Sequence, residues 1–303
     1  GRNTSGLSMS GLSRFFEDSF EIFADCLLAA TFPGAEFDRE KKMLLQAIEG
    51  RREKLGAVNN DRFVEAFFAP HPYGRPKVGT SESVEELGVD DVRAHHDRIV
   101  SPRDLVVTVV GDVRAKRVRE LAERFLVRPE APDPYRPEVP PPGEREAPKL
   151  VVGDLQKEQA HVIVGFDAPP LASDEKYAMR VLYAIRSGQG GRLFYELRDR
   201  QSLAYSVHAR TLLGLEASTF TINIGTSPAK IEQAVNGIFE QIGRLRREGI
   251  TDGEVARAKR YLVGNHDIGL QKNSSRALAV GLDELYGLGY KRSLEFGARI
   301  DGV

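Results

Sequence analysis

Residues 197–207 read Leu-Arg-Asp-Arg-Gln-Ser-Leu-Ala-Tyr-Ser-Val. A helix-like run ends at Arg198, and a strand-like run from Ala204 to Ala209 takes in Tyr205. Guanidinium and phenol are both hydrogen-bond donors, and neither is a good nucleophile or metal ligand at neutral pH. Two such donors on rigid elements suit the gripping of a substrate carbonyl or a developing oxyanion. A surface arginine beside an edge-strand tyrosine gives the same pattern, so the spacing alone leaves both readings open.

Outward from this stretch, helix and strand patterns are mixed. Strands are expected at Lys149–Val152, His161–Phe166, 204–212 and 217–225, and helices at 174–187, 192–200, 228–248, 252–270 and 274–287. Gly188-Gln189-Gly190-Gly191 lacks the Gly-Lys-Ser/Thr ending of a phosphate loop, so it reads as a flexible turn. Gly190 and Gly191 could also let a substrate backbone approach closely. Upstream, apolar spacing predicts helices over 10–30, 36–55, 62–68, 90–98 and 114–126. Ser83 with Glu86 resembles a capping box, and Leu105–Val110 reads as a buried strand. His71-Pro72-Tyr73-Gly74-Arg75-Pro76 is too interrupted for regular structure.

Residues 128–148 are rich in proline and acidic groups, and 131–148 is the expected linker between domains at 1–130 and 149–303. An internal echo supports related halves. Val106–Gly111 leads to Ala115-Lys116 and a helix, as Phe220–Gly225 leads to Ala229-Lys230 and a helix. The expected fold is α+β, as two similar domains.

A net charge of −1 over 303 residues gives no broad attraction for nucleic acid or anionic membrane. No apolar run reaches membrane-span length and no secretory signal is visible, so a soluble cytoplasmic or periplasmic protein is expected. The abrupt ends suggest a fragment of a longer protein. Cys26, the single cysteine, is expected to be a buried small hydrophobe.

His95-His96-Asp97 invites a metal reading, but neighbouring helix residues point about a hundred degrees apart, so a solvated face is expected. His71 reads as part of a structural turn and His161 as a packed strand residue; His208 is left open. Arg51-Arg52 and Arg244, Arg246 and Arg247 read as solvated helix faces. No zinc-ligand spacing and no Ser/His/Asp or Cys/His constellation can be assembled.

Several motifs in order resemble one family: Thr31-Phe32-Pro33…Phe37-Asp38-Arg39-Glu40, His71-Pro72-Tyr73-Gly74…Gly79-Thr80, Val110-Gly111-Asp112-Val113, Arg192-Leu193-Phe194…Leu197-Arg198, and Leu203-Ala204-Tyr205-Ser206-Val207. The resemblance is to the insulinase/pitrilysin group of inverted-motif zinc metallopeptidases. It spans nearly the whole chain. It implies one lobe of a peptide-admitting chamber, built from two homologous α+β domains. In this family one lobe carries H-x-x-E-H and a later glutamate on zinc, and the opposite lobe supplies an arginine and a tyrosine that grip substrate. Arg198 and Tyr205 match that pair in type and spacing.

Active lobes read roughly E-R-E-R-x-x-x-x-x-E, whereas Asp38-Arg39-Glu40-Lys41-Lys42-Met43-Leu44-Leu45-Gln46-Ala47 places alanine at the third-ligand position. A methyl group cannot bind zinc. Glu49 lies about 200 degrees round the helix from Ala47 and cannot substitute in register. The place for H-x-x-E-H falls before Gly1. The resemblance therefore implies the non-zinc, C-terminal half of a bacterial two-half member, inactive alone. Its expected partners are a zinc-bearing half or homologous subunit and a peptide substrate. The rival expectation is an inactive family member serving as scaffold, assembly or peptide-binding subunit.

Overall fold

The structure is a computed structural model. It describes all residues except 1, 102–103, 128–132, 134, 136, 144–146, 156 and 188–194, and the backbone alone of 186 and 187. In chain order the helices are α1 (Phe16–Leu28), α2 (Gly34–Arg52), α3 (Leu55–Phe68), α4 (Ser81–Glu85), α5 (Val89–Ile99), α6 (Ala115–Phe125), α7 (Glu175–Ser187), α8 (Ile231–Glu248), α9 (Asp252–Gly269), α10 (Asn273–Leu285) and α11 (Phe296–Asp301). The strands are β1 (Ala160–Ala168), β2 (Ser206–Leu212) and β3 (Ser218–Thr226). The fold is helix-rich α+β, as expected.

Contacts gather the chain into two units, neither continuous in sequence. One takes Gly1–Ile48, Val78–Glu138 and Asp267–Leu294; the other takes Glu49–Lys77, Val139–His266 and Glu295–Val303. The break between Glu138 and Val139 falls inside the proline-rich stretch.

In the first unit, α1 buries Phe20, Ala24 and Leu27 on one stripe and packs on α6, which buries Leu121. Cys26 lies off that stripe and is exposed, which corrects the expectation of burial. Arg117 forks onto Glu17, and this guanidinium holds the Glu17 carboxyl below the usual carboxylate range. Phe32 takes a left-handed backbone (φ 46°). Arg93 secures it by donating to the carbonyls of Thr31 and Phe32, and the His96 ring packs edge-on against the phenyl. His96 Nε2 also lies 2.9 Å from the Leu27 carbonyl, so only His95 of that pair is on a solvated face. The capping box forms three residues earlier than expected, between Thr80 and Ser83.

Leu105–Val110 is not a strand. It has no regular assignment and is mostly half-buried, and no described residue offers it a ladder. Thr108 Oγ1 instead donates to the Ala277 carbonyl on α10, which ties the segment to a helix rather than to a sheet.

The second unit is built on an antiparallel sheet of order β1-β3-β2. Central β3 is buried almost throughout, and the hydroxyls of Thr219 and Thr221 donate to Phe166 and Arg210 carbonyls on the flanking strands. Val207, Ala209, Phe220, Ile222 and Ile224 meet Ala234 and Ile238 of α8 in one core. Tyr177, Val181, Ala258, Phe296 and Ile300 form a second, closed by α11, a helix too short to show a period in the sequence. Gly165 on β1 admits the Phe63 ring of α3; a Cβ there would lie 2.3 Å from a ring carbon. Arg51 is half-buried and forks onto Asp61 at 2.6 and 2.8 Å, while Arg52 lies on the exposed face.

His71 is the structural turn residue expected, capping a single 3-10 turn at Pro72–Gly74. Its Nδ1 accepts the Tyr73 N–H (3.1 Å), so Nε2 carries the proton and donates to Glu216 Oε2 at 2.8 Å. Tyr73 Oη accepts the Leu215 N–H at 3.0 Å. The two side chains therefore hold the far turn of the β2–β3 hairpin. Lys149–Val152 is not a strand either: Leu150 is 87% exposed, and no described edge supplies its ladder bonds.

Candidate functional site

Arg198 sits in a wide π-helical turn, Tyr195–Arg200. The turn is anchored by Leu197, which is fully buried. Opposite it, α8 has Gly237, where a Cβ would come 2.7 Å from Leu197 Cδ2. That missing side chain lets the turn seat on the helix. Glu196, on the same turn, lies 3.2 Å from Arg200 and 3.4 Å from Arg244 of α8. Glu248 first, and Glu196 after it, raise the Arg244 guanidinium above its ordinary value. With Leu197 plugged inward, its neighbour Arg198 is exposed.

The segment leading from Arg198 to Tyr205 is pinned from several sides. Ser202 and Leu203 N–H groups donate to the carbonyls of Arg198 and Leu197. Ser202 adopts a left-handed backbone (φ 50°) without being glycine. This conformation costs roughly 1–2 kcal/mol for an L-residue and persists only where neighbours enforce it. Lys230 Nζ donates to the Ser202 carbonyl at 2.9 Å, and Thr226 Oγ1 donates to the buried Leu203 carbonyl at 2.6 Å. The Tyr205 N–H then donates to the Gly225 carbonyl at 2.8 Å. Because Thr226 takes the Leu203 carbonyl, the strand begins at Ser206 rather than Ala204. Tyr205 therefore precedes the strand, with 62% of its surface exposed.

Arg198 and Tyr205 line one cavity of about 500 Å³ with Asp199, Ser202, Ser227 and Lys230. Ser202, Thr226 and Lys230 were not singled out for a site in the sequence. The one signal was the Gly225…Ala229-Lys230 echo, which pointed at Lys230 without giving it a role. His208 is exposed on β2. Gly190 and Gly191 lie outside the described residues. A larger cavity of about 830 Å³ lies in the other unit, walled by apolar groups such as Phe32, Phe37 and Leu44. Its cation, Lys41, is spent on the Glu85 and Leu87 carbonyls.

The described residues offer zinc no site. Ala47 is an exposed methyl on α2, Glu49 pairs with Arg52 at 3.2 Å, and the described residues contain no cluster of three metal-ligating side chains. Among them, too, no helix is long and apolar enough to cross a membrane.

Residues 86–262 match the family model described as "Peptidase M16 inactive domain". The chain is similar to an uncharacterized zinc protease of Streptomyces coelicolor, 27% identical over 273 residues, covering 88% of this chain and 60% of the relative. A Mycobacterium leprae protein of the same description is 29% identical over 275 residues, covering 89% and 61%. The chain thus spans about three-fifths of the length of these relatives. A crystal structure of a peptidase M16 inactive domain from Pseudomonas fluorescens shares the fold, with a TM-score of 0.83 at 20% identity, covering 97% of this chain and 71% of that one.

Proposed function

We propose, from the premise that this chain belongs to the peptidase M16 inactive-domain family, that it is the substrate-gripping lobe of a zinc metalloendopeptidase. The metal and its ligands belong to a partner lobe, either another part of a longer protein or a homologous subunit. Arg198 and Tyr205 donate hydrogen bonds to the carbonyl oxygen of the bond being cut, and hold it as negative charge develops there. Substrate binds as an extended strand added to a sheet edge, which favours peptides and unfolded polypeptides over folded proteins. Residues 1–130 and 149–303 are read as two related domains, with the gripping pair on the second. Gly190 and Gly191 are read as allowing close approach of the substrate backbone.

The observation that carries this reading is the shared cavity of Arg198 and Tyr205, joined by a segment whose strained residue is pinned. A preorganised donor pair is what transition-state stabilisation requires, since it costs no reordering during reaction. Ala47 also favours a second reading, an inactive scaffold or peptide-binding subunit, but that role does not call for a pinned donor pair.

Reconstitution separates the two. The purified chain is expected to leave a fluorogenic peptide uncut. Mixed with, or expressed in cis to, a zinc-bearing M16 lobe from the same source, it is expected to support hydrolysis above that of the zinc lobe alone. Peptide binding without any gain in cleavage would favour the scaffold or binding subunit.

A further inference from the structure

We infer that the cavity beneath Arg198 and Tyr205 is also a carboxylate subsite, in which Lys230 receives an acidic group of the peptide held there. This rests on the reading of the cavity as a peptide site. Gripping a carbonyl uses Arg198 and Tyr205, and bracing the Ser202 carbonyl between them uses only one N–H of Lys230. Its ammonium has three N–H donors, and one goes to the Ser202 carbonyl at 2.9 Å. That bond fixes the amine at the cavity wall, and among the described residues no carboxylate is paired with it.

The position is electrostatically unfavourable for the folded chain by itself. Lys230 immediately precedes the first turn of α8, an 18-residue helix, where the positive end of the helix dipole disfavours a cation. Glu232 in that first turn does not line the cavity. Lys230 and Arg198 both bring positive charge to one cavity, against the single carboxylate of Asp199. Hydroxyls of Ser202, Ser227 and Tyr205 add neutral donors. The volume, about 500 Å³, is within the range of sites that enclose a small ligand or a few side chains. An anion offsets the unfavourable placement of Lys230 and completes the cavity. On a peptide, that anion is an aspartate or glutamate side chain near the cut bond, or the C-terminal carboxylate.

The test is equilibrium binding of fluorescein-labelled decapeptides to the full-length protein, read by anisotropy. One glutamate is walked through a neutral Ala/Ser/Gly background, each peptide having a glutamine counterpart, and all are made as free acid and as amide. Wild type is expected to prefer a carboxylate by about tenfold, the scale of a charge-assisted hydrogen bond partly screened by water. Preference for Glu over Gln at one position identifies a side-chain carboxylate; preference for free acid over amide throughout identifies the C-terminus. Lys230→Gln, which keeps an N–H donor but carries no charge, is expected to shrink the preference to within about twofold, and Lys230→Arg to keep most of it. Unchanged thermal unfolding is the folding control for Lys230→Gln and for Lys230→Met, a second neutral variant.

Peptide binding by wild type with no carboxylate preference, or a preference that both neutral variants leave intact, overturns the inference alone. The peptide-site reading itself fails instead if wild type binds no peptide and Arg198 variants of the assembled protease turn over normally.

Discussion

Replacing Arg198 by alanine, or Tyr205 by phenylalanine, in the assembled protease is expected to lower kcat/KM about a hundred- to a thousandfold, the usual cost of removing one oxyanion donor. The loss should fall mainly on kcat, because a donor aimed at developing charge acts more strongly in the transition state than on bound substrate. Zinc content, measured on the same samples, should not change, since neither residue ligates the metal. The double variant should lose less than the product of the single losses, as for residues that act as one unit. Both side chains are exposed, so truncation leaves the core intact, and unchanged thermal unfolding separates lost chemistry from lost fold. Wild-type turnover in both single variants would remove the basis for the proposed grip.

Leu197→Ala is expected to cost about 2–5 kcal/mol in unfolding free energy, the range for deleting a fully buried leucine. Leu197 is fully buried in the core shared by β2, β3 and α8. It also fills the space opposite Gly237, so truncation leaves a void that a glycine cannot reach across to close. Urea unfolding followed by circular dichroism measures the loss. Leu197 plugs the turn that carries Arg198, and its carbonyl accepts the Leu203 N–H. The variant should therefore also depress turnover at temperatures where it remains folded. A loss below about 1 kcal/mol would mean that the site collapses around the missing side chain.

Much of this was legible in the sequence because periodicity reports burial. The amphipathic patterns gave α1, α2 and α6–α10 with end errors, since a stripe shows which face is inward but not where the last turn frays. The strands around Phe220 and Val207 were legible for the same reason. Leu105–Val110 and Lys149–Val152 failed alike: an apolar run is a strand only where another edge completes its hydrogen bonds, and composition carries no record of the partner. Cys26 and His96 show the limits of residue type. The cysteine lies beside the buried stripe of α1 rather than on it, and the imidazole folds back onto Phe32 rather than into solvent.

At the candidate site, the residue types of Arg198 and Tyr205 and their spacing were readable. What makes them one site was not. The left-handed Ser202 is held by Lys230 from another element, more than twenty residues along the chain. Thr226 similarly reaches back to Leu203. These are side-chain-to-backbone bonds between distant residues, which leave no periodic trace.

The decisive property is where the metal is held. Zinc in the purified chain, measured by inductively coupled plasma mass spectrometry after dialysis against apo buffer, is expected far below one equivalent. One tightly held equivalent, lost on substituting side chains of this chain, would contradict it.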